Sequence, residues 1–148
     1  KMIDLGKLCI TPKEKVWMVL VDLYPVNADG NLFDAAALAA VIALNNAKIP
    51  KYDEKAERVE FGQFTSKNVP ILKKPIMCTF GKINGELFLD PSEREEEVMD
   101  ARLCIALDDR NTVNAMQKGG SGTFTFDEVA EIVKKAKIAC KSLRSHVK

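Results

Sequence analysis

Residues 16–26 are apolar at nearly every position and rich in β-branched and aromatic side chains, broken only by Asp22 and Pro25. A run with so little alternation predicts a strand buried on both faces that ends near Pro25. The following Asn27-Ala28-Asp29-Gly30-Asn31 reads as a turn, because Asn and Asp-Gly tolerate positive φ. Over residues 35–47 the apolar positions fall on every side of a helical projection. That pattern predicts a buried helix, capped by Asp34 and stopped at Pro50. Residues 51–68 are polar and mixed, with weak alternation around Val59 and Phe61. They read as a connecting segment with one weak strand.

The second half is more sharply patterned. Residues 76–83 and 86–89 flank Asn84-Gly85, a strong hairpin signal. Residues 101–107 and 112–116 flank Asp108-Asp109-Arg110-Asn111 and predict a second hairpin. The acidic stretch Glu93-Arg94-Glu95-Glu96-Glu97 lies between them. Near the end, Thr125 and Glu128 have capping-box spacing, with Phe124 and Val129 placed for a hydrophobic staple. Val129, Ile132, Val133, Ala136, Ala139, Cys140, Leu143 and Val147 then repeat along one helical face, while lysines and Arg144 fill the rest. The order is strand, helix, four-strand meander, helix. It predicts an α+β fold, a mixed sheet with helices packed on one face.

Length and composition narrow the function classes. A chain of 148 residues holds one domain, or two small ones sharing a core. With 47% hydrophobic and 29% charged residues it has ordinary globular composition. A net charge of +1 excludes a histone-like basic protein, so nucleic-acid binding requires a local patch or a partner chain. No apolar run reaches the ~20 residues of a membrane span, and no signal-peptide pattern is present. The chain opens at Lys1 almost directly into a strand-like segment, which predicts a fragment or a processed chain. Cys9, Cys78, Cys104 and Cys140 form no C-x-x-C pair and sit among apolar or small neighbours. They read as core residues in a reducing compartment rather than as metal ligands.

Few side chains suggest chemistry by position alone. Asp100, at the mouth of a predicted strand, is either a general acid or metal ligand, or a solvated strand-edge carboxylate. Asp108 and Asp109 are turn formers. The Lys118-Gly119-Gly120-Ser121-Gly122 segment precedes a helix N-terminus, where backbone amides can cradle an anion. It lacks the P-loop and Rossmann spacings and reads better as a flexible link. His146 is the single histidine and stands near the C-terminus, a poor place for a triad base. Glu128 and Glu131 dilute the basic face of the last helix, which reads as solvated surface.

Several segments in order resemble the RNase PH-type subunits of the RNA exosome. They are Leu8-Cys9-Ile10, Lys15-Val16-Trp17, Val21-Asp22, Asp29-Gly30-Asn31-Leu32-Phe33-Asp34-Ala35-Ala36, Leu89-Asp90-Pro91, Val98-Met99-Asp100-Ala101-Arg102 and Ala115-Met116-Gln117-Lys118-Gly119. The resemblance is greatest to the non-catalytic ring subunit of the archaeal complex, and the acidic run is similar to its eukaryotic relatives. It implies an RNase PH-like fold in which residues 1–52 are the C-terminal part of a first domain, 53–74 a connection and 75–148 a second domain. It also implies that an N-terminal half is missing. The family forms a hexameric ring that degrades RNA from the 3′ end by phosphorolysis, with RNA threaded through the centre. In the catalytic subunit a glycine-hydroxyl-arginine motif before the helix holds phosphate; here Asn31, Leu32 and Phe33 stand in its place. Phe33 brings neither the charge nor the forked donors of arginine. Asp100 falls near the position of the catalytic aspartate, a degenerate candidate without a phosphate cradle.

The resemblance therefore implies a non-catalytic structural and RNA-path subunit, inactive alone, with no cofactor, no metal and no phosphate-binding residues. The competing reading is a phosphorolytic 3′-to-5′ exoribonuclease in its own right, using Asp100. A third is a structural module without an RNA role. The implied partners are a catalytic RNase PH-like exosome subunit, RNA within the ring and RNA-binding cap subunits, with no membrane. The implied location is the cytoplasm for an archaeal chain, with nucleus and nucleolus added for a eukaryotic one.

Overall fold

The computed structural model describes residues 1–147. A short 3-10 turn, Leu5–Leu8, leads into a small ladder of β1 (Cys9–Thr11) and β2 (Lys15–Val16). Helix α1 (Leu32–Asn46) follows, then an antiparallel pair of β3 (Lys48–Asp53) and β4 (Arg58–Asn68). The remainder is β5 (Ile76–Ile83), β6 (Glu86–Leu89), α2 (Glu93–Val98), β7 (Ala101–Leu107), β8 (Val113–Gly120) and α3 (Phe126–Arg144). The α+β class is the one the pattern predicts, and every ladder between these strands is antiparallel.

The core lies between the four-stranded sheet and α3. Side chains alternate along a strand. Ile76, Cys78 and Phe80 of β5 therefore share a face with Leu103, Ile105 and Leu107 of β7, and all of them are buried. Ile132, Ala136 and Cys140 of α3 cover that face, with Val41 of α1 and Val147 completing the cluster. Removing this apolar area from water is the main stabilising term. The α3 capping box forms as the spacing predicts: Thr125 N donates to Glu128 Oε2 at 2.6 Å, and Glu128 N donates to Thr125 Oγ1 at 3.2 Å. Lys82 pairs with the same carboxylate group at 2.6 Å. The Asn84-Gly85 hairpin also forms, with positive φ at both residues.

The sheet is not a meander. Its strand order is β6-β5-β7-β8, because α2 carries the chain from β6 back to the other edge of β5. The acidic run that forms α2 has a helix start of its own, Ser92 with Glu95, whose carboxylate accepts from Ser92 N at 2.8 Å. β8 extends to Gly120, so Lys118-Gly119-Gly120 is ladder rather than flexible link.

Several expectations fail in the first half. Only Val16 of the predicted 16–26 strand enters a ladder, as the second residue of β2. Met18, Leu20, Tyr24 and Val26 are largely exposed, Val26 to 99%. A strand buried on both faces needs neighbours on both sides, and the described residues supply them on one side only, where Trp17 and Val19 are half-buried. Helix α1 starts at Leu32 with Asn31, not Asp34, at its N-cap. It is not buried all round: only Val41 is fully enclosed, while Leu32, Phe33, Ala35, Ala39 and Ile42 are exposed. One side of α1 packs on β5 and its opposite side remains open. Apolarity reports what a face can bury, not what covers it. Finally, residues 51–68 belong to the β3–β4 hairpin, turned by Asp53, whose Oδ1 accepts from Lys55 N at 2.9 Å and Ala56 N at 3.1 Å. Nearly all of β4 is exposed, which removes the alternation that would have revealed it. Pro50 does not stop the helix; it lies inside β3, where the register shifts and a missing N–H is tolerated.

Candidate functional site

Asn31, Leu32 and Phe33, singled out from sequence, lie where α1 begins. Gly30 has φ 83, and a Cβ on it would come within 2.4–2.5 Å of the Pro91–Glu93 backbone. Only glycine allows the turn to lie this close to the start of α2. Asn31 follows in the left-handed region and is buried. Its Nδ2 donates to Asp34 Oδ2 at 2.8 Å and to Asp90 Oδ1 at 2.6 Å, while its backbone N donates to Glu96 Oε1 at 3.1 Å. Asp34 in turn accepts from Thr79 N at 2.7 Å and from Thr79 Oγ1 at 2.8 Å. Thus Asp34 is not the helix cap; it ties the first turn of α1 to β5. Three carboxylates here hold backbone and amide groups in place.

Phe33 lies on the outer side of the same turn. The Arg102 guanidinium stacks on its ring at 4.2 Å. Arg102 faces away from the core, in a row that crosses the whole sheet: Phe88 opposite Gly81, Gly81 opposite Arg102, Arg102 opposite Gly119. The two glycines make room for the large neighbours. A Cβ on Gly81 would come 2.3 Å from the Phe88 ring, and one on Gly119 would come 2.7 Å from Arg102 Nε. That Nε is buried without a hydrogen-bond partner. Arg102 is the site residue that pattern reading missed; its signal was an arginine inside an otherwise apolar strand.

Asp100 is exposed and lies at the end of the sheet. One carboxylate oxygen, Oδ2, accepts from Asn84 N at 2.9 Å, and its main chain pairs with Lys82 O and Gly122 N. Leu32 is exposed beside Leu23 and Tyr24 in a shallow cavity.

The other candidates lie elsewhere. Asp108 is a turn former as predicted, accepting from Arg110 N at 3.0 Å and Thr112 N at 2.9 Å, but it is also buried. Lys73 pairs with it at 2.9 Å and holds its carboxyl well below the usual range, aided by the turn amides. Arg144 donates to the carbonyls of Lys74, Leu107 and Asp108, locking α3 to the same corner. His146 is exposed beside Ser145. Of the four cysteines, Cys78, Cys104 and Cys140 are core residues, whereas Cys9 is exposed on the short β1 strand. Among the described residues, no group of three or more His, Cys, Asp or Glu is arranged to hold a metal ion. No helix among them is long and apolar enough to cross a membrane.

Residues 4–50 match the 3′ exoribonuclease family, domain 1, and residues 74–139 match its domain 2. The chain belongs to this RNase PH family. More particularly, it is 44% identical over 133 residues to the exosome complex component Rrp42 of Methanothermobacter thermautotrophicus, covering 90% of this chain and 49% of that one. It is 39% identical over 138 residues to Rrp42 of Pyrococcus horikoshii, covering 92% of this chain and 50% of that one. A solved Archaeoglobus fulgidus exosome with RNA bound to the active site aligns with TM-score 0.86 and 36% identity, covering 99% of this chain and 55% of that one. Rice Rrp46 shares the fold, with TM-score 0.59 and 15% identity over 82% of this chain and 48% of that one. The chain thus spans about half the length of the curated relatives it matches.

Proposed function

We propose that this chain is a non-catalytic structural and RNA-path component of an exosome ring. In this reading it supports 3′-to-5′ RNA degradation by a catalytic RNase PH-like partner and does not turn RNA over alone. The observation that carries the reading is the contact between Phe33 and Arg102. At the position that the family resemblance gives to a phosphate-binding arginine stands an aromatic ring, and the nearby guanidinium is stacked on it. An oxyanion there would meet a hydrocarbon face instead of a bidentate donor. Asp100 has one oxygen committed to the Asn84 amide, and the carboxylates around Asn31 are committed to structural hydrogen bonds.

The exposed apolar surface of residues 18–26 and the outer side of α1 supports an assembly role. Contiguous apolar area of this kind marks contact surfaces. Kinship with archaeal exosome components supports the ring and RNA parts of this reading; RNA-binding cap subunits and a cytoplasmic location belong to the same proposal. The test is to mix the chain with a catalytic RNase PH-like exosome subunit and measure particle mass by size exclusion with light scattering. We expect one heteromeric particle containing both chains. Separate elution of the two would overturn the proposal.

A further inference from the structure

Two buried thiols in the core face one another without a role in the proposed function. Cys78 Sγ on β5 and Cys140 Sγ on α3 lie 3.3 Å apart, and their residues are 2% and 0% exposed. We propose that they are an oxidisable pair, closed by a hydroperoxide into a disulfide that staples α3 to β5.

The geometry favours this pairing over any other among the described residues. A disulfide needs about 2.05 Å between sulfurs, so the Sγ atoms must approach by only about 1.2 Å, within reach of small side-chain rotations. Cys104 is on the other face of the sheet, where its Sγ accepts from Thr79 Oγ1 at 3.2 Å. Cys9 is exposed on a separate ladder. Access is available: a cavity of about 380 Å³ between α1, β6 and α3 is lined by Leu38, Cys78, Leu89, Ala139 and Leu143. It brings a small oxidant to Cys78 and to the residue beside Cys140.

Either sulfur can donate across the 3.3 Å contact, and Cys140 Sγ also donates to the Ile76 carbonyl at 3.4 Å. Cys78 lines the cavity, so it is the sulfur that meets the oxidant, and Cys140 resolves it. In the first step Cys78 Sγ attacks one oxygen of the hydroperoxide. An S–O bond forms, the O–O bond breaks, and the leaving hydroxide or alkoxide takes the Cys78 proton. In the second step the Cys140 sulfur attacks Cys78 Sγ. The S–S bond forms, the S–O bond breaks, and the departing hydroxide takes the Cys140 proton as water. Two thiols are oxidised by two electrons and the peroxide is reduced. The link joins positions 62 residues apart and closes a loop that contains β6, α2, β7 and β8, which restricts the unfolded chain.

The test uses the chain in a Cys9→Ser background, treated with hydrogen peroxide and then alkylated in denaturant. We expect peptide mapping to recover Cys78 and Cys140 as one linked pair, with Cys104 alkylated. The Tm should rise by roughly 5–10 °C, reversibly with dithiothreitol, and Cys78→Ser should abolish both changes. Recovery of both residues as free thiols, a sulfinic acid at either, or a link to Cys104 would overturn the proposal. A correct link without a gain in Tm would overturn the staple. Because the mapping is done on the native pair, it decides the matter even if the serine variant does not fold.

Discussion

Gly30 and Gly85 share nearly the same backbone conformation, φ 83 and φ 89, yet they answer to different constraints. A Cβ at Gly85 meets nothing within 4 Å, whereas one at Gly30 strikes the backbone of Pro91–Glu93. Gly85→Ala should therefore cost only the left-handed strain, about 1 kcal/mol. Gly30→Ala should cost roughly 3 kcal/mol or more, since backbone must also move. Urea unfolding of the two variants checks this; equal losses would mean that Gly30 is not clamped. Asp108 gives a pH signature. Its folded pKa is depressed below the ordinary 3.8 by Lys73 and the turn amides. A depressed carboxylate stabilises the fold above its unfolded pKa, and that contribution is lost as pH falls through the folded value. Stability should thus decline below about pH 4, and Asp108→Asn should flatten that decline while lowering Tm at pH 7. Thermal melts from pH 7 to pH 2 would show it; an unchanged acid limb would remove Asp108 from the acid-sensitive groups. Such roles were only half legible beforehand. Asp-Asp-Arg-Asn announces a turn, but nothing local announces that Lys73 and Arg144 converge on it from afar.

The elements differ in how openly the chain encodes them. Helix α3 carries its cap, its staple and its apolar face within its own residues, and the Asn84-Gly85 hairpin carries its turn. Both are local signals; the α3 cap and apolar face and the Asn84-Gly85 turn match the structure. The order β6-β5-β7-β8 depends on where α2 returns the chain, a long-range matter that periodicity does not report. Helix α1 shows the same limit, since its composition says buried and its surroundings cover one side. Two alanine substitutions separate the cases. Ala136 is 0% exposed between α3 and the sheet, so Ala136→Leu should cost about 1–3 kcal/mol from overpacking. Ala39 lies on the open side of α1, and Ala39→Leu should change stability by less than about 0.5 kcal/mol in the chain alone. Denaturant unfolding distinguishes them; a large loss at Ala39 would mean that this face is covered in solution.

At the scale of the whole molecule, two regions contrast. The sheet with α3 holds the buried core, whereas residues 18–26, the outer side of α1 and Val59, Phe61 and Phe64 of β4 present apolar and aromatic groups to solvent. In the ring assembly proposed above, these faces would be buried against neighbouring subunits. Resemblance pointed to Asn31-Leu32-Phe33 and to Asp100; the first three lie at the start of α1 and Asp100 at the end of the sheet. The stacking of Arg102 on Phe33 was not legible in the sequence, because it needs Gly81 and Gly119 to clear the sheet face on either side. The most direct measurement is release of nucleoside diphosphates from a poly(A) oligomer by the purified chain, with phosphate and magnesium present. We expect no phosphate-dependent release above background. Phosphate-dependent turnover that Asp100→Asn abolishes would contradict the non-catalytic role.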